Sequence, residues 1–218
     1  MTKDHNYKYR DIGSFTIILN ILLGVGALVS AVCLFSLLMQ VQLLFSDGLS
    51  AASAEANDTR VALLGSVQLW VYLITVLVFG WWIIMANKNV WAFGAKEIRI
   101  TPGWALAYFF IPIAYLWKPY EAMRDLWRAS YNPTSWMEKK TSAILPTWWA
   151  LWIASNLFGH LSISLIKNAK TISDYQTMSL VEVFGQMIEI PLCLVAMALV
   201  NQITAAQQKY INCSEASC

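Results

Sequence analysis

Residues 101–119 read Thr-Pro-Gly-Trp-Ala-Leu-Ala-Tyr-Phe-Phe-Ile-Pro-Ile-Ala-Tyr-Leu-Trp-Lys-Pro, and whether this stretch crosses a membrane decides the fold. It is apolar and aromatic enough to enter lipid, but short for a helical span, and Pro112 interrupts it. Proline removes one helix hydrogen bond and disfavours helix in the residue before it.

The rest of the chain leaves little doubt about its solvent. Apolar residues make up 58% of the 218, and charged residues only 13%, about half the ~25% that a hydrated domain surface requires. The apolar residues fall in long runs, about 13–45, 61–85, 146–166 and 180–200. Each is close to or above the ~20 residues that a ~30 Å hydrocarbon core needs. The first is long enough that it must tilt or project. Lys3, Lys8 and Arg10 before it, and Ala52-Ser53-Ala54 after it, invite a signal-peptide reading. The run far exceeds the roughly 7–15 residues of a secretory apolar region, so a retained helix is expected. Residues 46–60, with Asp47, Glu55 and Asp58, read as an exposed loop, and 86–100 as a polar, basic connection. Residues 120–132 read as an amphipathic interfacial helix, with Met123, Leu126 and Trp127 on one face and most of its charges elsewhere.

Lys and Arg placement arbitrates the central stretch. If it crosses, there are five spans and the fifteen basic residues divide eight to seven, which is no asymmetry. If it enters and leaves on one side, there are four spans. Twelve of the fifteen then share the side of the termini, and only Arg60, Lys167 and Lys170 lie opposite. The positive-inside rule selects four. The expected fold is therefore an all-α membrane protein in one domain. It has four transmembrane helices, a proline-broken non-spanning segment at 102–119, and the interfacial helix at 120–132. Both termini are expected on the cytoplasmic side of a plasma or inner membrane.

Arg99-x-Thr101-Pro102-Gly103-Trp104-Ala105, Pro112-Ile113-Ala114-x-Leu116-Trp117-Lys118-Pro119-Tyr120 and Met123-x-x-Leu126-Trp127-Arg128-Ala129-Ser130 together form a long, specific block. With 82–89 and Gly94 before it, and Trp148-Trp149-Ala150-Leu151-Trp152, Ser155-Asn156 and Gly159 after it, the block resembles the bacterial membrane family called domain of unknown function 4328. The resemblance runs from about the first span to Gln207. Two positions depart from it: Tyr115 stands where a polar residue is expected, and Met85 where relatives often carry Arg. The resemblance implies bacterial inner-membrane residence and supplies no reaction.

Two sets of residues are candidates for function. In the last two spans, Asn156, His160 and Ser164 with Lys167, and Glu182, Gln186 and Glu189, form helical stripes. A carboxylate inside a membrane is costly and marks ligand, ion or proton handling unless it only bonds helices together. Depth counted from the shared loop puts His160, Gln186 and Glu189 within one turn, so they are expected to meet. The second set, Trp104, Trp117, Lys118, Tyr120, Arg124, Trp127 and Arg128, reads as an aromatic-basic module for lipid or a protein partner. Local ion pairing on that helix competes with this reading. An aromatic belt at the membrane boundaries accounts for Trp81, Trp82, Trp117, Trp127, Trp136, Trp148 and Trp149.

Other chemistry finds no foothold. There is no HExxH, GxSxG, P-loop or Gly-rich dinucleotide turn, and no CxxC or Cys/His cluster, so neither catalysis nor a metal or cofactor is expected. Cys33 and Cys193 lie in apolar runs, and Cys218 is not placed for prenylation. A net charge of +2 gives no reason for nucleic acid. The expected partners are the lipid bilayer, an unidentified membrane protein or a second copy. The first functional reading is partner or lipid binding through the aromatic-basic module; the alternative is a small transporter or an ion- or proton-handling protein using the polar stripes.

Overall fold

The computed structural model describes residues 7–46, 50–96 and 98–216, with side chains to residue 214. Lys3, Asp47 and Cys218, used in the sequence readings, lie outside the described residues. Among the described residues six α-helices follow one another: α1 (Gly13–Leu44), α2 (Ala51–Ala92), α3 (Pro102–Ala107), α4 (Lys118–Tyr131), α5 (Ile144–Asn168) and α6 (Ile172–Ala216). No strand occurs among the described residues. Four of the helices, α1, α2, α5 and α6, are long and apolar enough to cross a membrane. The chain is an all-α membrane protein with four spans.

Both ends of α2 and both ends of α6 differ from expectation: α2 continues through residues 86–92, read as a connection, and α6 runs past 200 to Ala216. Residues 51–60 continue α2 as helix instead of forming a loop. Alanine is the best helix former, and Ala51, Ala52, Ala54 and Ala56 carry the turns before the apolar run. At ~1.5 Å per residue, α2 with 42 residues and α6 with 45 reach well past a ~30 Å core. Helix α6 begins eight residues before the expected span, at a capping box. Thr171 Oγ1 accepts from Asp174 N–H at 3.3 Å, while the Asp174 carboxylate accepts from Thr171 N–H at 2.8 Å.

The chain divides into two compact units. The first comprises the described residues of Met1–Ile21, Thr75–Trp149 and Ala196–Cys218. Its core is aromatic and aliphatic: Trp82, Ile83, Met123, Leu126, Leu145, Trp148, Leu199 and Ile203 are fully buried. Polar links tie the elements together. Trp82 Nε1 donates to Thr16 Oγ1 at 3.0 Å, and Thr16 Oγ1 lies 2.8 Å from Thr204 Oγ1. Gln207, fully buried, accepts from Asn89 Nδ2 at 2.9 Å and donates to the Ala86 carbonyl and to Ser130 Oγ, both at 3.0 Å. One side chain of α6 thus joins α2 to α4.

The central segment belongs to this unit. Pro102 sits in the first turn of α3, where its missing N–H costs nothing. Six residues of helix cannot cross a hydrocarbon core, and α3 packs against α2 where a Cβ on Gly80 would come within 3.0 Å of Leu106 Cδ1. Beyond it, the Ala114 N–H donates to the Pro112 carbonyl at 2.7 Å, with Ile113 at φ +67° and ψ −52°. This is a γ-turn with a positive central φ, rare and strained in any residue but glycine. A single turn of 3₁₀ helix (Ala114–Leu116) leads into α4, and Trp149 Nε1 donates to the Leu116 carbonyl at 3.2 Å. Side chains from neighbouring helices therefore meet backbone groups that a broken segment leaves over.

The second unit comprises Leu22–Ile74 and Ala150–Val195, that is, parts of α1, α2, α5 and α6. Its helices are held by polar side chains at several levels. Gln40 Nε2 donates to Ser179 Oγ at 2.8 Å, Arg60 Nε to Ser36 Oγ at 2.9 Å, and Gln176 Nε2 to the Leu44 carbonyl at 2.8 Å.

Candidate functional site

Within the second unit, α1, α2, α5 and α6 enclose a cavity of about 320 Å³. Its polar lining comes from Ser36, Gln68, Ser155, Ser162, Glu182, Gln186 and Glu189; Cys33, Leu37, Val61, Leu64 and Phe158 are among its apolar walls. Helix α6 delivers Glu182, Gln186 and Glu189 to it at i, i+4 and i+7, the stripe expected from the sequence. By helix rise, Glu182 and Glu189 stand ~10 Å apart along the axis.

The two cavity carboxylates have different surroundings. Glu189 Oε2 accepts from Ser155 Oγ at 2.8 Å. Gln186, between the carboxylates, forms a reciprocal amide pair with Gln68 of α2: Gln68 Nε2 donates to Gln186 Oε1 at 2.9 Å, and Gln186 Nε2 to Gln68 Oε1 at 3.1 Å. Arg60 of α2 is turned to Ser36 and to Asn57 Oδ1, the latter at 2.6 Å. Pro191, inside α6 two residues beyond Glu189, has no N–H for the Met187 carbonyl.

The α5 half of the expected site is corrected. Helix α5 lines the cavity with Ser155, Phe158, Gly159 and Ser162, a face one residue, or ~100° of helix, away from the Asn156, His160, Ser164 stripe. Asn156 Nδ2 donates to the Trp152 carbonyl of its own helix at 2.8 Å, and His160, Ser164 and Lys167 are exposed. His160 therefore does not meet Glu189. The reason is steric: small residues let helices approach, and Gly185 of α6 lies where a Cβ would be 3.7 Å from Phe158 Cβ. Ser155-x-x-x-Gly159 carried that signal, and Gln68 was legible as an amide inside an apolar run. Ser155 and Gly159 enter the sequence reading only through the family resemblance, and Gln68 does not enter it.

The aromatic-basic module lies in the first unit, and most of it is already engaged. Trp127 is 6% exposed and its Nε1 donates to Gln202 Oε1 at 3.3 Å. Arg124 pairs at 3.0 Å with Asp125, which sits on the buried face instead of among the solvated charges. Arg128 Nε donates to Thr141 Oγ1 at 3.0 Å. Lys118 Nζ meets Glu121 Oε2 at 2.7 Å, and this hydrogen bond holds the ammonium pKa above its usual value. Tyr120 is half-buried, while Trp104 and Trp117 remain exposed. The belt reading also contracts: Trp82, Trp127, Trp136 and Trp148 are core residues. Position near a membrane boundary does not reveal which way an indole turns. Three of these four have internal partners for Nε1, Trp136 through the Lys96 carbonyl at 2.9 Å.

Among the described residues, no group of three or more His, Cys, Asp or Glu is placed to hold a metal. The fold and the cavity define a polytopic helical membrane protein with an acidic, amide-lined chamber among its spans. The chain belongs to the family described as Domain of unknown function (DUF4328), whose model matches residues 46–205. The match begins after α1, so it is shorter than the resemblance suggested at that end. No curated protein and no solved structure matches. Of the two departures from the family pattern, Tyr115 lies in the 3₁₀ turn and is half-buried, and Met85 is buried in the first unit.

Proposed function

We propose that this chain is a bacterial inner-membrane protein that takes a small cation or a proton into the cavity of its second unit, and that it passes this species across the membrane without chemical turnover. The carrying observation is that Glu182 and Glu189 line one cavity whose described lining residues include no Lys, Arg or His. A carboxylate withdrawn from bulk water needs a proton, a cation or donors to stand there. Ser155 supplies one donor to Glu189; the cavity leaves space for more. The twelve-to-three division of basic residues supports an orientation with both termini and residues 86–145 cytoplasmic.

The first reading from the sequence, partner or lipid binding through the aromatic-basic module, keeps only Trp104 and Trp117 as exposed anchors. The ion pairs and hydrogen bonds of Lys118, Arg124 and Arg128 favour a structural role for the rest.

The test is flux. Full-length protein in liposomes holding a pH-sensitive dye, driven by a potassium diffusion potential, should acidify or alkalinise the lumen faster than protein-free liposomes. Sodium, potassium and methylammonium uptake are measured alongside. Glu189→Gln should fold normally and abolish the flux of the transported species. Flux equal to that of protein-free liposomes for all four probes overturns the reading.

A further inference from the structure

A second cavity, of about 270 Å³, lies in the first unit and is lined by Tyr7, Lys8, Arg10, Met85, Lys88 and Asn89. Three of the six are cations and none is a carboxylate. Among the described residues, Lys8, Arg10 and Lys88 form no ion pair. The adjacent acid, Asp11, is turned elsewhere: its Oδ1 accepts from Gly13 N–H at 2.9 Å and from Gln208 Nε2 at 3.4 Å.

The backbone beneath these charges is fixed. Asn89 Oδ1 accepts from Arg10 N–H at 3.0 Å, and its Nδ2 donates to the Arg10 carbonyl at 2.8 Å. The same Nδ2 donates to buried Gln207, so the clamp is anchored in the core. Lys88 Nζ lies 6.0 Å from the Tyr7 ring centroid, over its face, and Tyr7 meets Trp91 edge-on at 6.5 Å. The segment is thus pinned through its peptide groups while its cationic heads are left for something else. That is the reverse of α4, whose cations are consumed internally.

Position narrows the ligand. Arg10 stands three residues before α1 begins, and Lys88 three residues beyond the apolar run that ends at 85. Both belong at the level of lipid headgroups. Basic pockets between spanning helices at this depth hold anionic headgroups, and rings of Tyr and Trp suit the same layer. From the three cations that meet no carboxylate among the described residues, the clamped backbone and the interfacial position, we infer that this cavity is a binding site for a phosphate monoester or diester, supplied by an anionic phospholipid. The site is separate from the acidic cavity and does not depend on what that cavity carries.

Full-length protein in nanodiscs of phosphatidylcholine with a minor share of phosphatidylglycerol provides the test, with retained lipids counted by native mass spectrometry. The expected result is one phosphatidylglycerol held in preference to phosphatidylcholine, with the preference falling as salt is raised. Each Lys or Arg near a charged surface is worth about five-fold in binding, so Lys8→Gln/Arg10→Gln/Lys88→Gln should weaken retention on the order of 100-fold. The exposed pair Lys139→Gln/Lys140→Gln should leave it unchanged. Inorganic phosphate and glycerol phosphate are titrated in detergent as the competing source, read by melting temperature. Stabilisation by either, lost in the triple variant, supports the phosphate chemistry and assigns the site to a soluble ligand. No preference for phosphatidylglycerol together with no stabilisation by phosphate overturns the inference. So does a triple variant that melts like the parent and retains lipid equally well.

Discussion

Ser155 Oγ donates to Glu189 Oε2 at 2.8 Å, so the carboxylate near the middle of α6 is met from α5 by a serine and not by His160 five residues further on. In a double-mutant cycle, Ser155→Ala and Glu189→Gln should therefore be non-additive, with a coupling of about 1 kcal/mol or more for a hydrogen bond to a carboxyl group. His160→Ala and Glu189→Gln should add to within about 0.5 kcal/mol. Reversible unfolding in mixed micelles measures both. Coupling of Glu189 to His160 instead of to Ser155 would reverse the assignment of the α5 face.

Gln207→Leu should be among the most destabilising single changes, by about 3 kcal/mol. Asn89, Ser130 and the Ala86 carbonyl each lose a partner in a place closed to water. Gln208→Leu, one residue on and half-exposed, should cost less than about 1 kcal/mol.

Trp127 and Trp104 belong to one aromatic-basic motif but should respond in opposite ways. Trp127→Ala empties a core position and should cost about 3–5 kcal/mol. Trp104→Ala, at 53% exposure, should change stability by less than about 1 kcal/mol. Equal costs would mean that both indoles are packed.

Ile113→Gly tests the turn in the central segment. The side chain is 68% exposed, so its loss removes little packing, while glycine accepts φ +67° without strain. The variant should be as stable as the parent or more stable by about 1 kcal/mol. Pro112→Ala should impair assembly although alanine is the better helix former. A destabilised Ile113→Gly together with a stabilised Pro112→Ala would indicate a continuous helix here.

Orientation is tested with single cysteines at Ser50, Ser135 and Ser173 in a variant lacking the native cysteines. All three positions are exposed. An impermeant thiol reagent on intact spheroplasts should label Ser50→Cys and Ser173→Cys and leave Ser135→Cys unreacted. Labelling at 135 with protection at 50 and 173 would invert the orientation.

The number of spans was legible because two independent signals agreed, Pro112 within a short apolar run and the distribution of Lys and Arg. Helix ends were less so, since residues 51–60 look like a loop by polarity and are helical through alanine content and through Arg60 and Asn57. The α6 side of the cavity could be read because carboxylates in an apolar run stand out. The α5 side could not be read from polarity. Its cavity face is set by close helix approach, and small residues mark that face better than polar ones. Gln68 barely lowers the hydropathy of its run, and its importance comes from a partner 118 residues away. The indoles show the same limit: sequence places a tryptophan near a boundary, but tertiary contacts decide whether it faces lipid or core.

The Gln207 junction also bears on how the protein is made. Asn89 and Ser130 are synthesised long before Gln207, as Trp127 is before Gln202. Three spans and the α4 module can thus be inserted while their shared polar partners are still in the ribosome. A nascent chain stalled within α6 would be membrane-inserted but unlatched, with buried amide and hydroxyl groups lacking their partners. Such an intermediate is the form that membrane proteases and insertases would distinguish from the finished protein.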